Sequence, residues 1–118
     1  MDMVGIFELP FPSARLAGHN AGHWRSISGI VAKHREWAKY AALAAAIPVP
    51  DEGDIPISVT FIPPNRRGDR TNFPVRCKPY FDGIADALGV NDRRFLPSFH
   101  FAEPTIPGKV IVRIGPCP

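Results

Sequence analysis

The sequence predicts an α/β (α+β) fold, a single domain of order β-α-β-α-β-β with a mixed, mainly antiparallel sheet and two helices. Three observations lead there. Short β-prone runs stop at prolines, two stretches carry apolar residues at helical spacing, and nothing between them is long enough to separate domains. With 118 residues, the domain spans 1–118 and is large enough to bury a core.

Residues 3–9, MVGIFEL, read as the first strand, stopped by Pro10-Phe11-Pro12. The stretch SARLAGHNAGHWRS is rich in Gly, Ser, His and Asn and reads as an irregular loop. Ser26 or Ser28 is placed to cap a helix running to about Ala46. Its inward stripe is Ile27, Ile30, His34, Trp37, Ala41 and Ala44, and Pro48 and Pro50 end it. Residues 55–62, IPISVTFI, form the second strand, closed by Pro63-Pro64. A second helix starts near Cys77, because Pro79 is tolerated only in a first turn. Phe81, Ile84, Ala85 and Leu88 are its buried stripe and Gly89 its C-cap. Two further strands, about 95–102 and 109–114, are joined by EPTIPG, which reads as a hairpin connection.

Composition narrows the function classes. Apolar content of 45% and charged content of 21% are globular values, so wholesale disorder is excluded. Two cysteines, Cys77 and Cys117, are too few for a disulfide scaffold or a cysteine zinc site and read as free thiols. The most apolar run, 41–49, falls far short of the roughly 20 residues that span a bilayer, and the N-terminus has no signal-peptide pattern. A cytoplasmic protein without a membrane partner is expected.

The net charge of +3 only tilts toward a polyanion; its distribution says more. Arg66, Arg67, Arg70, Arg76 and Lys78 lie within thirteen residues against the single acid Asp69. Cations this close repel one another unless something negative visits, and arginine forks suit phosphate.

Just after them, Lys78, Asp82 and Asp86 are spaced by four on the second helix and project from one side. Such a ladder is ordinarily a solvated face. Here Asp69 precedes the helix and Asn91-Asp92 follows it, so both ends can return polar groups to one patch. Magnesium is usually held by one or two carboxylates with waters and phosphate oxygens, and a neighbouring lysine stabilises charge gathering on phosphorus. The residue types match phosphodiester hydrolysis.

Other polar and aromatic residues have plainer readings. His19 and His23 lack a third ligand and read as loop contacts. His34 reads as a satisfied boundary imidazole, His100 as a strand residue facing solvent or a partner, and Trp37 as core. Trp24 is the candidate to stack on an exposed base. Asp51, Glu52 and Asp54 read as solvated surface.

The segment Asp69-Arg70-Thr71-Asn72, then Lys78 and Asp82 in KPYFDGIADALG, then Asn91-Asp92 in GVNDRR, resembles the RusA family of Holliday junction resolvases. That family carries D-x-D-N, a lysine, an aspartate four residues on, and a closing D-D. LPFPSARLAGHNAGHW and KHREWAKYAALAA are similar to its opening and first helix, so the likeness runs in order along nearly the whole chain. The resemblance implies a magnesium-dependent (manganese possible) endodeoxyribonuclease of DNA recombination and repair. It would act as a homodimer on branched, four-way DNA by paired symmetric nicks. It implies metal binding at Asp69 and Asp92 with Thr71 and Asn91 as weaker ligands, transition-state stabilisation by Lys78, and an orienting role for Asp82. Arg66, Arg67, Arg70, Arg76 and Trp24 would hold DNA. Thr71 and Asn91 stand where the family has aspartates, and a one-residue shift in the closing loop would put Arg93 at the ligand position. The alternative implied is a junction-binding protein whose cleavage is weakened or lost with the carboxylate at Thr71.

Overall fold

The computed structural model describes residues 5–17 and 24–115, with the backbone alone for residues 24–26. It has the expected α+β architecture. The elements are β1 (Gly5–Pro10), α1 (Trp24–Ala45), β2 (Ile55–Ile62), α2 (Lys78–Leu88), β3 (Phe95–Phe101) and β4 (Lys109–Ile114), with short 3-10 turns at Ala14–Leu16, Arg70–Asn72, Pro74–Cys77 and Asp92–Arg94.

The sheet order is β1-β4-β2-β3. β4 is antiparallel to both β1 and β2, whereas β3 runs parallel to β2. The expected hairpin between the last two strands is therefore a correction. A parallel partner for β2 requires a crossover, which α2 supplies, and this places β3 on the outer edge. The 102–108 connection then passes the end of β2, with Ala102 N–H donating to Phe61 O (2.9 Å) and Thr105 N–H to Pro63 O (3.0 Å). β4 thus enters between β1 and β2 rather than folding back on β3. Turn residues in EPTIPG mark a reversal but do not say which strand receives it.

Alternation sets the core. One row of cross-strand neighbours runs Leu9, Val110, Phe61 and Phe101, and the next Phe7, Val112, Val59 and Phe99. Ile55, Ile57, Val59, Phe61, Val110, Val112 and Ile114 are buried in one cluster with Ala38, Ala42, Tyr80 and Ile84 of the helices. The opposite face carries Glu8, Thr60, Ile111 and the exposed His100, with Lys109 paired to Glu8 at 2.8 Å.

The two helices meet unusually closely. A Cβ at Gly83 would stand 2.1 Å from the Arg35 carbonyl oxygen and 3.1 Å from Ala38 Cβ, so only glycine fits there. This approach corrects the predicted stripe of α1. Ala38 and Ala42 face inward, while Trp37 is 39% exposed and Ala44 lies outside. A tryptophan has no room where α2 touches α1. α1 also begins at Trp24, ahead of the predicted serine caps, so Trp24 opens a helix rather than sitting in a loop. Serine inside a first turn opposes a helix only weakly. His34 is buried at 4% exposure as expected: Nδ1 donates to Ile30 O (2.8 Å) and Nε2 accepts from Ser13 N–H (3.2 Å). α2 starts on Lys78-Pro79 and ends at Gly89 (φ 67°), as its sequence requires. Cys77 is a buried free thiol whose pKa burial pushes up to about 12, so it is inert as a nucleophile at neutral pH. Cys117, His19 and His23 lie outside the described residues.

Candidate nucleic-acid interface and acidic site

The arginine loop leaves β2 at Pro63-Pro64 and turns twice. Asn65 Oδ1 accepts from Arg67 N–H at 2.8 Å, and Gly68 takes φ +86°, a left-handed conformation that favours glycine. Two 3-10 turns then carry the chain to α2, with Asn72 N–H donating to Asp69 O (2.9 Å) and Arg76 N–H to Phe73 O (3.1 Å). Phe73 anchors them, packed edge-on to Phe11 (5.1 Å) and against Phe61 (5.6 Å).

Above this aromatic floor lies an open concavity of about 450 Å³, lined among others by Arg66, Arg67, Asp69, Arg70 and Thr71. Asp69 stands at the cap position of the 70–72 turn without using its carboxylate as a cap. Arg66 pairs with Glu103 on the 102–108 connection. Among the described residues, the side chains of Arg67 and Arg70 form no hydrogen bond or ion pair. Like-charged, unpaired and exposed, they keep their donors for an outside acceptor.

The second group gathers at α2. Lys78 Nζ lies 2.9 Å from Asp82 Oδ1 and also donates to Asp92 Oδ2. The helical spacing brings Asp82, and the turn after Gly89 returns Asp92. These hydrogen bonds raise the Lys78 pKa, with Asp92 the larger cause, and the Lys78 ammonium holds the Asp92 carboxyl below its ordinary range. Asp86 goes elsewhere, to a bidentate pair with Arg35 of α1 at 2.7 and 2.9 Å. Asn91 caps the 92–94 turn, its Oδ1 accepting from Arg93 N–H at 2.9 Å. Arg94 donates to the Gly53 and Pro50 carbonyls, which fixes the exposed acidic turn beside β2.

The sequence-predicted residues thus form two neighbourhoods. Lys78, Asp82, Asn91 and Asp92 line surfaces that include Phe95 or Arg35, and Asp69 and Thr71 line the arginine concavity. No hydrogen bond or ion pair joins Asp69 to the Lys78 cluster among the described residues. The topology accounts for this: Asp69 belongs to the loop leaving β2 and Asp92 to the turn entering β3, which attach at opposite ends of a parallel strand pair. Among the described residues, no three His, Cys, Asp or Glu side chains gather closely enough to hold a metal. One carboxylate and one hydroxyl beside several arginines still match the sparse protein ligation that magnesium accepts when substrate supplies oxygens.

The sequence did not point to Glu103 as the partner of Arg66, nor to Phe11 and Phe73 beneath Arg76. The Arg66–Glu103 and Phe11–Arg76 contacts are long-range and no local spacing encodes them, whereas Phe73 and Arg76 meet at the i, i+3 spacing of a 3-10 turn. The side chain of Trp24 lies outside the described residues. No helix among them is long and apolar enough to cross a membrane.

No protein-family model matches the sequence. The chain is 41% identical over 92 residues to an uncharacterized protein of Xylella fastidiosa, a match covering 75% of this chain and 60% of the relative. The chain therefore spans less than two thirds of that relative's length.

Proposed function

We propose that this protein is a structure-selective endodeoxyribonuclease that resolves four-way DNA junctions in the cytoplasm by paired nicks, working as a homodimer with magnesium, or manganese in its place. The observation that carries this reading is the open concavity in which Asp69 and Thr71 share a lining with Arg66, Arg67 and Arg70. The arginines grip backbone phosphates without reading sequence, and Trp24 stacks on a base exposed at the branch. Two copies meet the near two-fold symmetry of a junction and supply two cutting sites.

Asp69 and Thr71 would hold the ion together with phosphate oxygens; Asp92 and Asn91 belong to the Lys78 neighbourhood and are the candidate ligands of an ion bound there instead. The bound metal supplies polarisation of the phosphoryl group. With the ion at Asp92 and Asn91, Lys78 would be the cationic residue for charge accumulating on phosphorus, and Asp82 keeps its ammonium oriented at 2.9 Å. Because Lys78 also engages Asp92, binding of DNA at the lysine frees the Asp92 carboxylate.

A second reading is favoured by a specific observation: among the described residues a single acid lines the arginine concavity, and Asp92 is occupied by Lys78. On that reading the chain binds junctions and has lost cleavage. The deciding experiment is incubation with a synthetic four-way junction with and without magnesium. Paired, metal-dependent nicks are expected. Binding without nicks selects the second reading, and no preference for the junction over linear duplex rejects both.

A further inference from the structure

A second cavity of about 390 Å³ opens beside the Asp69 concavity, between the 63–68 loop and the segment around Phe11. Its chemistry is different. Among the described residues the polar lining is Asn65, Arg67 and Arg76, the remaining walls are aromatic, proline and other small or apolar residues, and no carboxylate lines it. The volume lies within the roughly 300–1,000 Å³ of clefts that enclose small ligands.

Arg76 lies there against two rings. Its Cζ lies 5.1 Å from the Phe73 ring centre and 6.0 Å from that of Phe11. On another side the Gly68 turn closes in, where a Cβ would come within 3.8 Å of Nη2. The Nε atom is buried and has no hydrogen-bond partner. Among the described residues the guanidinium has neither a hydrogen bond nor an ion pair. A charged donor without an acceptor is costly and calls for an explanation, of which an acceptor arriving from outside is one. Arg67, also unpaired, faces the same cavity from the loop.

From this arrangement we infer that the cavity seats one phosphorylated nucleotide unit, its phosphate between Arg67 and Arg76 and its ring system against Phe11 and Pro64. Two convergent guanidinium groups without a competing carboxylate suit a phosphate. Half-buried Phe11 and exposed Pro64 offer a planar base apolar surface without selecting which base it is. The inference rests on the proposal that the arginine loop receives DNA. It adds that one nucleotide is held individually, beside the stretch of backbone lying over Asp69.

The test is titration of the whole protein with deoxythymidine 5′-monophosphate, thymidine and inorganic phosphate, followed by amide chemical shifts. The mononucleotide is expected to bind about tenfold or more tighter than either fragment, with shifts at Phe11, Gly68 and Arg76. Arg76→Gln and, should that variant fold poorly, Arg67→Gln are expected to weaken it about tenfold, the loss of a charge-assisted hydrogen bond. Lys109→Gln, on the far sheet face, is expected to bind as wild type. Equal binding of phosphate and mononucleotide, shifts confined to Arg66 and Thr71, or undiminished binding by both arginine variants would overturn the inference. Junction binding is measured on the same samples. Wild-type protein that shifts the junction yet ignores the mononucleotide overturns the nucleotide seat alone, whereas failure to shift the junction rejects the DNA reading itself.

Discussion

The Lys78 ammonium donates to the Asp92 carboxylate across fourteen residues of chain, joining the first residue of α2 to the turn that enters β3. The pair is partly solvated, with Lys78 the more exposed partner. Its worth to folding is therefore small.

Asp92→Asn is expected to leave the thermal midpoint nearly unchanged while reducing junction nicking by roughly 100-fold, the scale on which a single electrostatic contributor to catalysis acts. The pH behaviour follows from the two shifts. The Asp92 carboxyl is held below its ordinary 3.8, so the pair's contribution is complete above about that pH and disappears as pH falls through the depressed value. The Lys78 pKa is raised above 10.5, so its side of the pair is complete below 10.5 and disappears as pH rises through the higher value. Nuclear magnetic resonance titration of the Asp92 carboxyl carbon checks this: in Lys78→Met its midpoint should move up toward 3.8, and an unmoved midpoint would show that Lys78 is not the cause.

Thr71→Asp gives the arginine concavity a second carboxylate two residues from Asp69. A hydroxyl is a neutral oxygen donor, whereas a carboxylate adds a full negative charge against the divalent ion. The substitution is expected to raise magnesium-dependent nicking about tenfold or more and to lower the magnesium concentration needed. Thr71 is exposed, so the fold should tolerate the change. Unchanged metal dependence would move the ion away from this concavity. If the second reading holds, nicking should appear in the variant where wild type shows none.

Gly83→Ala tests the contact that decides how the helices cover the sheet. The added methyl meets the Arg35 carbonyl oxygen at 2.1 Å, an obstacle made of backbone that no rotamer change relieves. Overpacking of this kind costs about 1–3 kcal/mol, and the gain in helix propensity returns about 1 kcal/mol. Because the obstacle is backbone, the net loss should lie near the upper end, about 2 kcal/mol, lowering the melting midpoint by roughly 10 °C. Calorimetry of the pure protein reads this directly. An unshifted midpoint would mean that α1 and α2 are not in contact there.

Much of this architecture was written locally. Pro63-Pro64 ends β2, Pro79 and Gly89 bracket α2, and alternating apolar residues mark β2 and β4, because each signal acts through its own backbone or face. The errors share one cause. α1 turns Ala38 rather than Trp37 toward α2, where Gly83 lies against Ala38 and the Arg35 carbonyl, and the supposed hairpin fails because β4 finds β1 and β2 instead of β3. The candidate site divides in the same way. Lys78 and Asp82 meet by helical spacing and Asp92 by a short return, all legible, whereas the relation of Asp69 to them depends on where two loops leave a parallel strand pair.

His34 offers the remaining prediction, because both ring nitrogens are committed. Nδ1 donates to the Ile30 carbonyl and Nε2 accepts from the Ser13 N–H, with the ring stacked 5.1 Å from Tyr80 and tilted 4.9 Å from Trp37. Tyr80 in turn donates its hydroxyl proton to Pro10 O at 2.6 Å, so the imidazole and the phenol together tie the segment after β1 to the helices. A second proton on His34 would point an N–H at the Ser13 N–H. Burial is the main cause that lowers its pKa below 6.5, and nearby Lys33 adds to it. The unfolded chain therefore takes up this proton at a higher pH than the folded one. The stabilisation is complete above 6.5 and is lost as pH falls below it toward the depressed folded value, by up to about 1.4 kcal/mol per pH unit. Urea unfolding at pH 7.5 and 5.5 should show wild type losing stability on acidification. His34→Leu should start less stable by about 1–3 kcal/mol, since the Ser13 N–H loses its acceptor, and should lose less between the two pH values. Equal acid sensitivity in both proteins would place the titrating group elsewhere.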